Sequence, residues 1–104
     1  MWRKVELHGA AAIERISDVF EVHHSKVVPG GRFKIKVVER ASGDYLAVPN
    51  VFVKGADGVT DYISGLGQTN TEALEDLLRR FVPTLANVPD DDPVRFDWSD
   101  AHDF

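Results

Sequence analysis

At 104 residues, with 43% hydrophobic and 28% charged side chains, the chain has the size and composition of one domain around a single core. The absence of cysteine excludes a disulfide framework, thiolate chemistry and Cys-ligated metal. The net charge of −5 is segregated: residues 1–86 carry eleven basic and eleven acidic side chains, whereas residues 87–104 set Arg95 alone against Asp90, Asp91, Asp92, Asp97, Asp100 and Asp103. A neutral body with an acidic tail disfavours general affinity for nucleic-acid backbones, which needs a net positive face. No apolar run has the length of a membrane span, and the first residues lack the apolar core of a signal peptide, so a cytoplasmic protein with no membrane association is expected.

In chain order, Trp2, Val5 and Leu7 are the apolar contributors to a short strand over residues 1–7. His8-Gly9 leads into Ala10–Phe20, where Ile13, Ile16 and Phe20 fall on one helical face; the spacing predicts a short amphipathic helix. Residues 19–28 are rich in β-branched side chains, so a strand beginning anywhere from about Ser17 is the competing reading. Pro29-Gly30-Gly31 is a turn. Residues 32–40 are the clearest strand, with Phe33, Ile35 and Val37 alternating with Arg32, Lys34 and Lys36: one face buried, one wet.

Residues 41–44 form a hairpin connection, and Tyr45–Val48 returns antiparallel until Pro49, which cannot donate a ladder hydrogen bond. Val51–Lys54 continues beyond that break. After the turn at Gly55–Gly58, Val59–Leu66 is predicted as a third principal strand feeding directly into a helix over residues 70–82. That helix carries the most concordant local signals. Thr69 and Glu72 have the spacing of a capping box, Ala73, Leu74, Leu77, Leu78 and Phe81 share one face, and Arg79-Arg80 are placed to complement the C-terminal dipole before Pro83 ends the pattern. Further on, Val94, Phe96 and Trp98 alternate with Arg95, Asp97 and Ser99, while residues 87–93 are an acidic connection and residues 99–104 a frayed tail. The expected fold is α+β: a single domain over residues 1–104, with an antiparallel sheet of three to five strands, the main helix on one face and a shorter N-terminal helix.

A hairpin over Phe33–Val38 and Tyr45–Pro49, a third strand at Tyr62–Gly67, a cap and helix opening Thr69-x-x-Glu72-Ala73-Leu74, and a further strand at Val94–Trp98 together resemble the antitoxin half of HicA–HicB toxin–antitoxin pairs. The resemblance covers residues 32–98, and its most specific part is Gly67–Leu74. It implies a non-enzymatic module whose partner is another protein. The chain departs from the family pattern in the roughly 30 residues ahead of the hairpin and in the long connection from Pro49 to Asp61, and no helix-turn-helix or ribbon-helix segment follows the fold. The resemblance therefore implies protein binding without promoter binding by this chain.

The side chains that could carry chemistry mostly have structural readings. His23 and His24 are adjacent, so on a strand they point to opposite faces, and no His-Glu-x-x-His spacing exists; neither a metal nor a cofactor is expected. Ser99, Asp100 and His102 supply triad residue types with no nucleophile elbow, and no catalytic residues are expected. Gly65-Leu66-Gly67 lacks the third glycine or the Lys-Ser/Thr ending of a phosphate loop, and Glu72, Glu75 and Asp76 would repel a phosphate. The order of elements also resembles double-stranded RNA-binding domains, but those need a basic first turn on the last helix, and here that turn is Asn70-Thr71-Glu72.

The candidate interaction residues are Arg32, Lys34 and Lys36, a basic stripe on one strand face, together with Phe96 and Trp98. The stripe is a solvated strand face, a surface covered by the acidic tail through Asp97 or residues 90–92, or the basis of the alternative function, an α/β domain binding nucleic acid. Phe96 and Trp98 either add a strand to the domain's own sheet or anchor a motif in a partner's groove. A bare sheet edge or unused strand face would also allow a homodimer.

Overall fold

The computed structural model describes residues 6, 8–9, 14–23, 28–55, 57–85, 88 and 95–99. Among these residues, seven strands and one helix run in the order β1 (Arg15–His23), β2 (Arg32–Glu39), β3 (Tyr45–Pro49), β4 (Val51–Lys54), β5 (Thr60–Asp61), β6 (Gly65–Gly67), α1 (Asn70–Leu85) and β7 (Phe96–Trp98), with a 3-10 turn at Pro29–Gly31. The class is α+β. Strands β1-β2-β3-β6 form one sheet and β5-β4-β7 a second, and every pairing is antiparallel.

The sheet is built outward from β2, whose strict alternation buries Phe33, Ile35 and Val37 against α1. On the helix, Ala73, Leu77, Phe81 and Leu85 supply the facing stripe, with Leu74 and Leu78 packed at its margins. The Phe33 and Phe81 rings meet at a centroid distance of 5.1 Å and an angle of 54°, one of the favoured aromatic arrangements. Val51, Val53 and Phe96 from the second sheet join the same core, together with Val28 and Val88.

The expected helix over Ala10–Phe20 is not present in its described part, because Arg15–His23 is a strand paired along its length with β2. The register shifts between Ile16 and Asp18, making Ser17 a bulge. Ile16 therefore faces away from α1 while Phe20 faces toward it. The extra residue breaks the two-residue alternation and leaves an apolar spacing that mimics a helical face. Residues 10–13, and the strand expected at residues 1–7 apart from Glu6, lie outside the described residues, as do residues 89–94 and the tail from residue 100.

The expected strand Val59–Leu66 is two short strands in different sheets, β5 beside β4 and β6 beside β3. The two sheets are linked at Asn50, directly after Pro49. The Asn50 side chain accepts from the Lys34 N–H at 2.8 Å, its own N–H donates to the Lys34 carbonyl at 2.9 Å, and its carbonyl accepts from Ser99 N–H at 2.9 Å. One residue thus satisfies both main-chain groups of Lys34 where β3 ends, and anchors the residue after β7.

Helix α1 runs through Pro83 to Leu85 rather than ending near Val82. Leu85 is fully buried in the core, and Thr84 Oγ1 donates to the Phe81 carbonyl at 2.6 Å; both hold the last turn although Pro83 cannot donate within it. As a result Arg79 and Arg80 lie inside the helix, and both pair with Asp76 instead of closing the C-terminus. No helix among the described residues is long and apolar enough to cross a membrane.

Candidate interaction face

The four-stranded sheet has α1 on one side, and the opposite face is assembled by register. The side chains of β2 that point away from the helix are Arg32, Lys34, Lys36 and Val38. Val38 lies opposite Ile16 on β1 and Leu46 on β3, and Leu46 lies opposite Leu66 on β6. Four aliphatic side chains thus cross all four strands in one row. The neighbouring row is Val19, Lys36 and Val48; beyond it come Glu21 opposite Lys34, then His23 opposite Arg32. Ile16, Val19 and Leu66 are 57%, 52% and 50% exposed, while Val38 in the centre is buried.

Leu66 reaches this face through its neighbours. A Cβ on Gly65 would lie 2.8 Å from Leu77 Cβ and closer still to the Ala73 carbonyl oxygen and Leu77 nitrogen; a Cβ on Gly67 would lie 2.5 Å from Ala73 N and from Glu72 Cβ. The two glycines therefore let β6 press against the helix backbone, and the residue between them points outward. Asp76 completes the attachment: its carboxylate accepts from the Leu66 N–H at 2.9 Å, from Arg79 Nη2 at 2.6 Å and from Arg80 Nε at 3.2 Å. The Leu66 N–H, followed by the two arginines, holds the Asp76 carboxyl below its ordinary range against the opposing effect of burial.

The Gly-Leu-Gly stretch is thus a close-packing device between strand and helix. Its cap is partly as expected, since the Glu72 N–H donates to Thr69 Oγ1 at 3.1 Å. At the same helix end, Asn70 Nδ2 donates to Asp18 on β1 at 2.7 Å. With a second bond from Ser17, which contributes most, this keeps the Asp18 carboxyl low.

Of the predicted interaction residues, β2 brings Arg32, Lys34 and Lys36 onto this outer face. Arg32 pairs with Glu21 at 3.3 Å, Lys34 is exposed, and Lys36 is half-buried between Val19 and Val48. Phe96 and Trp98 lie elsewhere, on β7. Phe96 is a core side chain opposite Val53, and Trp98, opposite Val51, is 42% exposed. Asp97 sits beside Thr60, whose hydroxyl donates to it at 3.3 Å, and not on the basic stripe.

Beside the second sheet, Val59 and Tyr62 on either side of β5 are also exposed, with Tyr62 against Phe52 at a centroid distance of 5.0 Å. The aliphatic members of the outer face were not singled out from sequence. The signal available was alternation, with Leu46 and Val48 one face apart from Ala47, but only the register shows that these side chains share a row. Among the described residues no group of three His, Asp or Glu side chains is arranged to hold a metal. No family model, curated protein or solved structure matches the chain.

Proposed function

We propose that the chain is a small protein-interaction module, similar to a HicB-like antitoxin, and that it works by docking a partner protein on the outer face of its four-stranded sheet. The observation that carries the reading is the row Ile16–Val38–Leu46–Leu66, whose two ends are half-exposed aliphatic side chains. Side chains of this kind gain free energy by leaving water, and exposed apolar side chains beside charge are a common mark of a protein interface. The resemblance over residues 32–98 supplies the same kind of partner. Nucleic-acid binding is supported less well, because Glu21 occupies Arg32 and the rows beside the basic stripe are aliphatic, not the aromatic platforms on which bases stack.

The test is co-purification. The tagged chain, expressed in its native organism, is expected to recover one protein at roughly equal stoichiometry, and a neighbouring gene encoding that protein would support the antitoxin version. Recovery of no stoichiometric protein, together with a salt-dependent shift of nucleic acid abolished by charge reversal at Arg32, Lys34 and Lys36, would replace this reading with the nucleic-acid one.

A further inference from the structure

We infer that the outer edge of β1 pairs with the same strand of a second copy of the chain, antiparallel about a two-fold axis at Glu21, so that two four-stranded sheets join into one.

The main-chain groups left over on β1 follow from the bonding of its neighbour. Lys34 uses both of its main-chain groups on Asn50, on the β3 side of β2. Alternate residues of an antiparallel strand bond to opposite sides. Phe33 and Ile35 therefore bond toward β1, and Val22 and Phe20, which lie opposite them, bond toward β2. The N–H and C=O groups of Val19, Glu21 and His23 point away from the sheet, and among the described residues no strand pairs with them. Another extended strand meets such groups at their own spacing.

The remaining edges are closed or short. At β6 the outward N–H of Leu66 goes to the Asp76 carboxylate at 2.9 Å, and the strand has three residues. In the second sheet the edge strands β5 and β7 have two and three residues. Among the described residues each copy thus offers one long edge, and pairing like with like uses it up in both copies. Assembly then stops at two, as a two-fold axis requires.

The side chains of β1 fit a second copy of themselves. The bulge at Ser17 and the inward-facing Asp18 blunt the first part of the edge, but Val19–His23 has neither feature and no lysine or proline. An axis at Glu21 puts all three outward residues of this stretch into hydrogen-bonded pairs, His23 opposite Val19 at both ends and Glu21 opposite its counterpart. An axis at Phe20 would leave His23 facing the bulge. On the helix side, each Phe20 then lies opposite a Val22, a favourable aromatic and β-branched pair, at what is the partly buried margin of the core. The cost is one pair of facing carboxylates. Arg32, 3.3 Å from Glu21 within each copy, offsets it, since the row across the axis reads arginine, glutamate, glutamate, arginine and has no net charge.

Sedimentation of the full chain from about 1 μM to about 1 mM is expected to show a reversible monomer–dimer equilibrium. The amides of Val19, Glu21 and His23 should gain protection from hydrogen exchange as the dimer fills, while those of Leu66 and Tyr62 do not change. Glu21→Pro removes an outward N–H and no bond to β2, so it should remain folded and monomeric. Glu21→Gln relieves the facing carboxylates and should tighten the dimer about threefold. A chain monomeric throughout this range would overturn the inference, as would a dimer that forms with Val19, Glu21 and His23 still exchanging freely. So would a dimer that survives Glu21→Pro or is lost in Leu66→Asp, either of which would move the contact off this edge. Weaker association in Glu21→Gln would overturn the two-fold register. The pairing leaves β3 and β6 untouched, so recovery of a partner protein by co-purification tests the docking reading separately.

Discussion

Gly65 and Gly67 sit where any side chain would enter the helix backbone, and backbone on both sides leaves no flexible group to yield. Overpacking usually costs about 1–3 kcal/mol. Gly65→Ala is expected at the upper end of that range by urea unfolding, with the exposed neighbour Ser64→Ala near zero; equal stability of the two variants would contradict the packing account. Asp76 acts next to these glycines through hydrogen bonds. Its carboxyl, like those of Asp18 and Asp44, is held below the ordinary value near 3.8, and Asp44 is brought to about 2 by Arg40 first and Ser42 second. A carboxyl depressed in this way stabilises the fold fully above its unfolded-state pKa and loses that contribution as pH falls through the folded-state pKa. Asp76→Ala should therefore lower Tm clearly at pH 7, and its deficit relative to the wild type should shrink on acidification below about pH 4. A deficit unchanged at pH 2 would show that the ionised carboxylate is not what holds β6 to α1.

Helix α1 extends through a proline because the burial of Leu85 outweighs the missing hydrogen bond. An interior proline costs about 3 kcal/mol, less near a helix end, and its restriction of the unfolded chain returns about 0.4–1 kcal/mol. Pro83 is exposed, so Pro83→Ala should stabilise by about 1–2 kcal/mol, seen as a Tm several degrees higher. A fall in Tm would mean that the last turn needs the ring. The same competition explains what could be read from residues alone. The strand Arg32–Glu39, the turn after it and the stripe Ala73–Phe81 were legible because their periodicity is local and complete. Arg15–His23 was not, since one bulged residue at Ser17 disguises its alternation and only pairing with β2 reveals it. The division of residues 59–66 between two sheets was equally hidden. The chain passes from one sheet to the other at Asn50, an ordinary polar residue in sequence whose side chain replaces a ladder partner for Lys34. Asn50→Ala should cost about 1 kcal/mol, the net value of one hydrogen bond, with loss of Lys34 amide protection from exchange; unchanged protection would remove Asn50 from that role.

For the molecule as a whole, the helix and both sheets share one core, which leaves the far side of the larger sheet as the surface where aliphatic and basic side chains meet. Half of this site was visible in the alternation of Arg32, Lys34 and Lys36. The other half required the cross-strand register, because Ile16, Leu46 and Leu66 are far apart in sequence and adjacent only across strands. The glycines, Asp76 and the Asn70–Asp18 bond fix the positions of the edge strands from the helix side, so the face is presented on rigid elements. The most direct test of protein docking at this face is calorimetric titration of the co-purified partner against the wild-type chain and Leu66→Asp. Leu66 is half exposed, so the variant should remain folded within about 0.5 kcal/mol of wild type. Its dissociation constant should rise at least tenfold, equivalent to about 1.4 kcal/mol. Unchanged affinity for Leu66→Asp, with affinity lost instead in Tyr62→Ala beside the second sheet, would contradict the account.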